Sequence, residues 1–219
     1  MTGIWLGIDT TSAVGGVALL SEGELLMESI LPVKALHSEK LLPAISELMR
    51  SSGTDGRDLA GIGVSRGPGS YTGLRIGIAT ALGLSAGWKV PVKGVSTLRV
   101  IVSALPDGPV LGCIRARTGE VFAGSFLSPD PSSPEIIPQG LYTSERLAEL
   151  IEDRVYSAAG SGRTELPGLE GLKWTSSLLD HPRPSLAAVC ASITADAQGF
   201  DGKLEPLYLR EFNQKTGKS

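Results

Sequence analysis

Cysteine and histidine are almost missing from this chain of 219 residues. Its two cysteines, Cys113 and Cys190, lie far apart in apolar segments and form neither a CxxC pair nor a zinc spacing. That excludes a disulfide framework and leaves buried, reduced thiols as the expectation. The two histidines, His37 and His181, are too few and too separated to make a cluster of metal ligands. Aromatic residues are scarce at 5%. No apolar run approaches membrane-spanning length, and the opening MTGIWLGIDT lacks the basic start and long apolar stretch of a signal peptide. A cytoplasmic protein with no membrane contact is therefore expected. Positive charge is not in excess either: the net charge is −3. A free-standing nucleic-acid binder with a basic footprint is thereby disfavoured, but not a member of a complex in which another chain holds the nucleic acid.

What the chain has in quantity is glycine, 28 residues of it. The most informative stretch is Gly67 to Gly87, where GPGSYTG follows a strand-like IGVSR and opens a helix. Strand, glycine turn and helix in that order aim backbone N–H groups at an anion or a close neighbour. The P-loop pattern fails for want of a Lys-Ser/Thr pair. The dinucleotide fingerprint fails because Thr72 stands where its third glycine belongs. Within the helix, Gly73, Gly77, Ala81 and Ser85 recur every four residues and form a ridge nearly free of side chains. Gly73, Gly77 and Gly83 together handicap the helix by about 3 kcal/mol relative to alanine. Close approach of another backbone is the natural compensation. Either the protein's own sheet or a partner would provide it, or both on different faces.

Periodicity organises the rest. Short apolar runs at Ile4 to Asp9, Val17 to Leu20 and Leu25 to Leu31 predict three strands in a meander. A helix follows over about Ser38 to Ser51, with Leu41, Leu42, Ile45, Leu48 and Met49 on one face. Then come the strand Ile62 to Ser65, the glycine turn and its helix, a strand at Val90 to Val95, and a helix over about Thr97 to Ala104. After PDGP the pattern restarts with a hairpin, Val110 to Arg115 and Val121 to Leu127, around ARTGE. A proline-rich loop, a helix capped by Ser144, a strand Val155 to Ala159 ending in GSG, and an alanine-rich helix Leu186 to Gln198 complete it. Residues 163–184 read as mostly irregular. The implied fold is α/β, with mixed sheets flanked by helices in two halves, 1–105 and 106–219, related by a diverged duplication.

Three segments carry candidate chemistry. Asp9 ends the first strand with Thr10 and Thr11 in the turn, a place for phosphate or a hydrated metal, or simply a satisfied hairpin. Ala116 to Gly119 occupies the matching hairpin, and Gly160, Ser161 and Gly162 end a later strand. Two phosphate-type hairpins and a glycine-rich turn resemble the actin, hexokinase and heat-shock chaperone ATPases. More narrowly, IDTTSAVGGVAL, HSEKLLPAI, GVSRGPGSYTGLRIG, GVSTL and RARTGEVFAG are similar to the TsaB family, glycoprotease-like proteins of tRNA threonylcarbamoyladenosine biosynthesis.

The resemblance implies two tandem ribonuclease-H-like lobes, the second abbreviated. It also implies a non-catalytic scaffold subunit that pairs with a catalytic paralogue, TsaD, and a small ATPase, TsaE. The complex transfers threonylcarbamoyl from threonylcarbamoyl-AMP to N6 of the tRNA adenosine beside the anticodon. The paralogue holds its metal with an H-x-x-x-H pair; here His37 is followed by Leu41 in the second place, so a metalloprotease reading lacks its ligands. Expected at the partner interface are His37, Leu41, Leu42, Ile45, Leu48, Tyr71, Gly73, Leu74, Gly77 and Ala81, on two helices that would also allow a homodimer in isolation. Asp9, Thr10, Thr11, Gly160, Ser161 and Gly162 would be a vestigial nucleotide site with weak binding at most, no metal, no required cofactor and no catalytic residue. One departure stands out: Arg115 occupies the place of the aspartate usual in the second hairpin. The alternative is an ATP-dependent phosphotransferase or ATPase of the same superfamily.

Overall fold

A computed structural model describes residues 2–32, 40–151 and 154–209. Among these, ten strands form two five-stranded sheets with five α-helices around them. The first sheet is built from β1 (Ile4–Asp9), β2 (Val14–Ser21), β3 (Glu24–Pro32), β4 (Leu59–Ser65) and β5 (Val92–Val95), in the order β3-β2-β1-β4-β5. β1, β2 and β3 make an antiparallel meander, and β4 and β5 add parallel to β1. The second sheet repeats this plan with β6 (Val110–Arg117), β7 (Glu120–Phe126), β8 (Glu135–Thr143), β9 (Tyr156–Ala159) and β10 (Leu172–Trp174), in the order β10-β9-β6-β7-β8. Every pairing direction matches its counterpart. These are two tandem ribonuclease-H-like lobes, as the hairpins implied.

The helices differ between the two halves. α1 (Leu41–Ser52) and α2 (Tyr71–Trp88) cover one face of the first sheet. Leu41, Ile45, Leu48 and Met49 of α1 pack there with Leu6, Ile8, Val17 and Leu19, and α1 stops at Gly53, whose left-handed φ of 68° suits glycine. Between β9 and β10, where the first half has the 18 residues of α2, the second half has a five-residue 3-10 turn at Ser161–Glu165. The last helix of each half crosses over. α3 (Thr97–Val102) packs Leu98, Ile101 and Val102 against Val110 and Phe126 of the second sheet. α5 (Pro184–Gln198) lays Ala187, Ala188 and Ala191 on Trp5, Ala18 and Leu20 of the first. Alanine suits this position because the backbones approach so closely that a Cβ on Gly7 would overlap the carbonyl of Pro184.

Several sequence expectations need adjustment. The proline-rich loop leads into β8, an extra strand completing the second meander. Its Pro138 is tolerated because β8 is an edge strand. The irregular stretch after residue 163 contains β10, too short for periodicity to reveal. Helix α4 (Ser144–Ile151) takes its cap from Thr143, whose Oγ1 accepts from the Arg146 amide at 3.3 Å, rather than from Ser144. Both cysteines are free and buried, and burial pushes each thiol up to about 12. No helix among the described residues is long and apolar enough to cross a membrane.

Candidate functional site

The end of β1 and the start of α2 form one compact unit. Ser70 caps α2 by accepting from the Gly73 amide at 3.3 Å, and its own amide donates to the carbonyl of Thr11 at 2.8 Å. The Thr10 hydroxyl donates to the Gly73 carbonyl at 2.7 Å. The small ridge of α2 faces this strand end: a Cβ at Gly73 would fall on the Thr10 carbonyl, and one at Gly77 on the Thr10 hydroxyl. The neighbour that compensates the glycine cost is therefore the protein's own first hairpin.

This placement corrects the expected partner surface. Leu41, Ile45, Leu48, Gly73, Leu74, Gly77 and Ala81 are all buried within the chain's own first lobe and have no free surface to offer. Leu42, 52% exposed, and Tyr71, 42% exposed, do face outward. His37 lies outside the described residues. α2 also carries a second, outward-facing stripe. Ala79, Leu82, Gly83, Ala86 and Gly87 are exposed on the opposite side of α2, with open space beyond the Cα atoms of Gly83 and Gly87. Four-residue spacing of small residues on both sides of the helix made the two stripes indistinguishable in sequence.

Asp9 is fully buried beneath the first hairpin. Its carboxylate accepts from the Thr11 amide at 3.0 Å and from the Thr11 hydroxyl at 3.2 Å. Burial raises its pKa from 3.8 to about 7; neighbouring Ser65 and Thr11 offset only part of the desolvation. The Arg115 guanidinium, at the second hairpin, turns to Glu165 at 2.7 Å. Glu165 also accepts from the Gly119 amide at 2.8 Å, and these contacts, the backbone one first, hold its carboxyl below the usual range.

Between the hairpins lies a cavity of about 480 Å³ lined by Thr11, Ser12, Ser70, Arg115, Ser161 and His181 among others. Thr11 and Ser161 thus line the same cavity. Asp9 and Thr10 sit behind the cavity wall. Gly160 is turned onto β6, where a Cβ would meet the Cys113 carbonyl, and Gly162 packs on the Cys113 side chain. His181, whose Nδ1 is buried without a partner, joins the lining. No local pattern in the HPRP segment could have signalled that. Among the described residues no group of three or more His, Cys, Asp or Glu could hold a metal ion.

Comparison with known proteins gives this geometry a family. The tRNA threonylcarbamoyladenosine biosynthesis protein TsaB of Bacillus subtilis is 31% identical over 218 residues, covering 94% of this chain and 93% of that relative. The chain belongs to the TsaB family. The Escherichia coli TsaB is 38% identical over 125 residues, 55% of this chain and 54% of that protein. A family model described as TsaD, tRNA N6-adenosine threonylcarbamoyltransferase, matches residues 30–197. Among solved structures, YeaZ from Pseudomonas aeruginosa superposes with a TM-score of 0.79 at 26% identity, covering 95% of this chain and all of that one. A polyphosphate/ATP-glucomannokinase from an Arthrobacter strain reaches 0.51 at 13% identity, covering 90% of this chain and 100% of that one, a likeness of fold alone.

Proposed function

We propose that this chain is the non-catalytic, activating subunit of a cytoplasmic tRNA threonylcarbamoyltransferase assembly. It pairs with a TsaD-type catalytic paralogue and works beside a TsaE-type ATPase. Threonylcarbamoyl passes from threonylcarbamoyl-AMP to N6 of the tRNA adenosine beside the anticodon, and this chain meets tRNA only through the complex. The names of its relatives supply the pathway, and the match to the TsaD model gives the paralogue a shared architecture. The observation that carries the subunit role is the outer stripe of α2, where Ala79, Gly83 and Ala86 are exposed. Among the described residues nothing fills the space beyond Gly83. Helical glycine on an outer face weakens the helix and gains nothing within the isolated chain, whereas a second helix docked there profits from the close approach. The same face would close a homodimer in the absence of the paralogue. The division into lobes at 1–105 and 106–219 belongs to the same proposal, with α5 returning to the first sheet.

The test is Ala79→Glu, which places a charge on the exposed stripe without touching the core. Wild-type chain is expected to co-elute with the paralogue in size-exclusion chromatography. The variant, equally folded by circular dichroism, is expected to bind at least about thirtyfold more weakly, roughly 2 kcal/mol. Unchanged affinity rejects the interface. The rival reading, an autonomous ATPase or phosphotransferase, draws on the cavity between the hairpins. Against it, the Asp9 carboxylate is sealed off behind the cavity wall, and Arg115 stands at the second hairpin. Nucleotide titration of the isolated chain with magnesium is expected to show weak binding and no turnover.

A further inference from the structure

A second cavity, of about 290 Å³, lies where β4, β5, α3, α5 and the 131–132 loop meet, and shares no lining residue with the cavity between the hairpins. Three cations line it, Arg66, Lys93 and Arg99, against one carboxylate, Asp201. Two of the cations are already engaged. Lys93, 7% exposed, donates to the Gly199 carbonyl at 2.8 Å and pairs with Asp201 at 3.3 Å. Arg99 donates to the Ser133 carbonyl at 2.8 Å and lies 3.8 Å from Glu135, which is outside the lining.

Three of the lining acceptors are engaged as well. The other Asp201 oxygen takes the Gly94 amide at 2.7 Å, the Gln139 carbonyl oxygen takes the Ser96 hydroxyl, and Thr194 turns to the Cys190 carbonyl at 2.7 Å. Arg66 is the exception. Its backbone is fixed on both sides, the amide donating to Val95 O at 2.9 Å and the carbonyl accepting from Leu207 at 2.6 Å. Its guanidinium forms no ion pair among the described residues, and Nε is buried without a hydrogen-bond partner. A guanidinium offers five donors and no acceptor. The cavity is therefore donor-rich, with its surplus charge at Arg66. It sits at the carboxyl ends of two parallel strands, where open α/β sheets bind ligands.

We propose that this cavity binds a small anion, a phosphate or carboxylate group carried on a compact molecule, with Arg66 as its principal contact and Arg99 beside it. The planar fork of Arg66 suits two oxygens of either group. Because lining residues come from both halves of the chain, the bound anion would tie the two sheets together across this seam.

Thermal denaturation and calorimetric titration of the full-length chain, with inorganic phosphate and separately with malonate at chloride-matched ionic strength, test it. At least one of the two anions is expected to raise Tm saturably, and which one does so distinguishes phosphate from carboxylate. Arg66→Met is expected to weaken that binding by about tenfold or more while leaving the Tm without anion unchanged or higher, since Arg66 has no side-chain partner to lose. Ser161→Asp, which puts a negative charge into the other cavity, is expected to bind as wild type does. Three results would overturn the proposal: no saturable binding of either anion, binding lost in Ser161→Asp but kept in Arg66→Met, or a fall in Tm of Arg66→Met without anion.

Discussion

Helix α2 has two sides that look alike in sequence and do opposite work. On the inner side, Gly73 and Gly77 meet the chain at the end of β1 so closely that a Cβ would collide, and Ala81 is buried. On the outer side Ala79, Gly83, Ala86 and Gly87 are exposed, and among the described residues nothing approaches Gly83 or Gly87. On the inner side glycine is demanded by packing. On the outer side glycine lowers stability, a cost that the proposed docking of a second helix would offset. Composition cannot separate the two; the neighbour of each Cα does.

The largest expected effect probes what the inner side presses upon. Asp9 retains its proton in the folded state up to about pH 7, whereas in the unfolded chain it loses it near 3.8. The folded state thus binds more protons across that window, and the contribution of Asp9 to stability falls as pH rises. Asp9→Asn, which cannot ionise, is expected to gain on the wild type by about 4 kcal/mol between pH 4 and pH 8, read by urea denaturation at each pH. A constant difference would mean that Asp9 is solvated and the hairpin looser than described.

Next in size is the same substitution at two depths. Gly73→Ala is expected to cost about 3 kcal/mol despite the better helix propensity of alanine, because its methyl must displace the Thr10 backbone. At Gly77 the obstacle is a hydroxyl that can rotate away at the loss of its bond to Gly73, so Gly77→Ala should cost less, about 1–2 kcal/mol. On the outer side the sign reverses. Gly83→Ala is expected to stabilise the isolated chain by up to about 1 kcal/mol, measured by the shift in denaturation midpoint. If Gly73→Ala and Gly83→Ala moved stability the same way, the two-sided account of α2 would fail.

Much of the architecture was legible from patterning. The run IWLGID had to be a buried strand, with Trp5, Leu6 and Ile8 nearly inaccessible on its two faces. The spacing of Leu41, Ile45 and Leu48 had to face a core. The hairpins around Asp9 and Arg115 announced the duplication. β10 escaped because three residues carry no period, and β8 because Pro138 and Gly140 interrupt its alternation. The candidate sites were less legible. Thr11 and Ser161 do meet, yet His181 joins them from a segment with no signal of its own. Arg66, read as the end of a strand, acquires its significance from Leu207 and Asp201, more than a hundred residues away in sequence.

By itself the sequence determined most of the elements, the repeated opening of the two halves and the family, because hydrophobic period, turn chemistry and motif are local properties of the chain. Only the tertiary structure decided which face of α2 is spent on the chain's own core, that Asp9 is sealed beneath a hairpin, and that the Arg66 guanidinium faces a cavity with no ion pair among the described residues. Those are facts about what lies opposite a residue, and a linear chain does not record its neighbours across a fold.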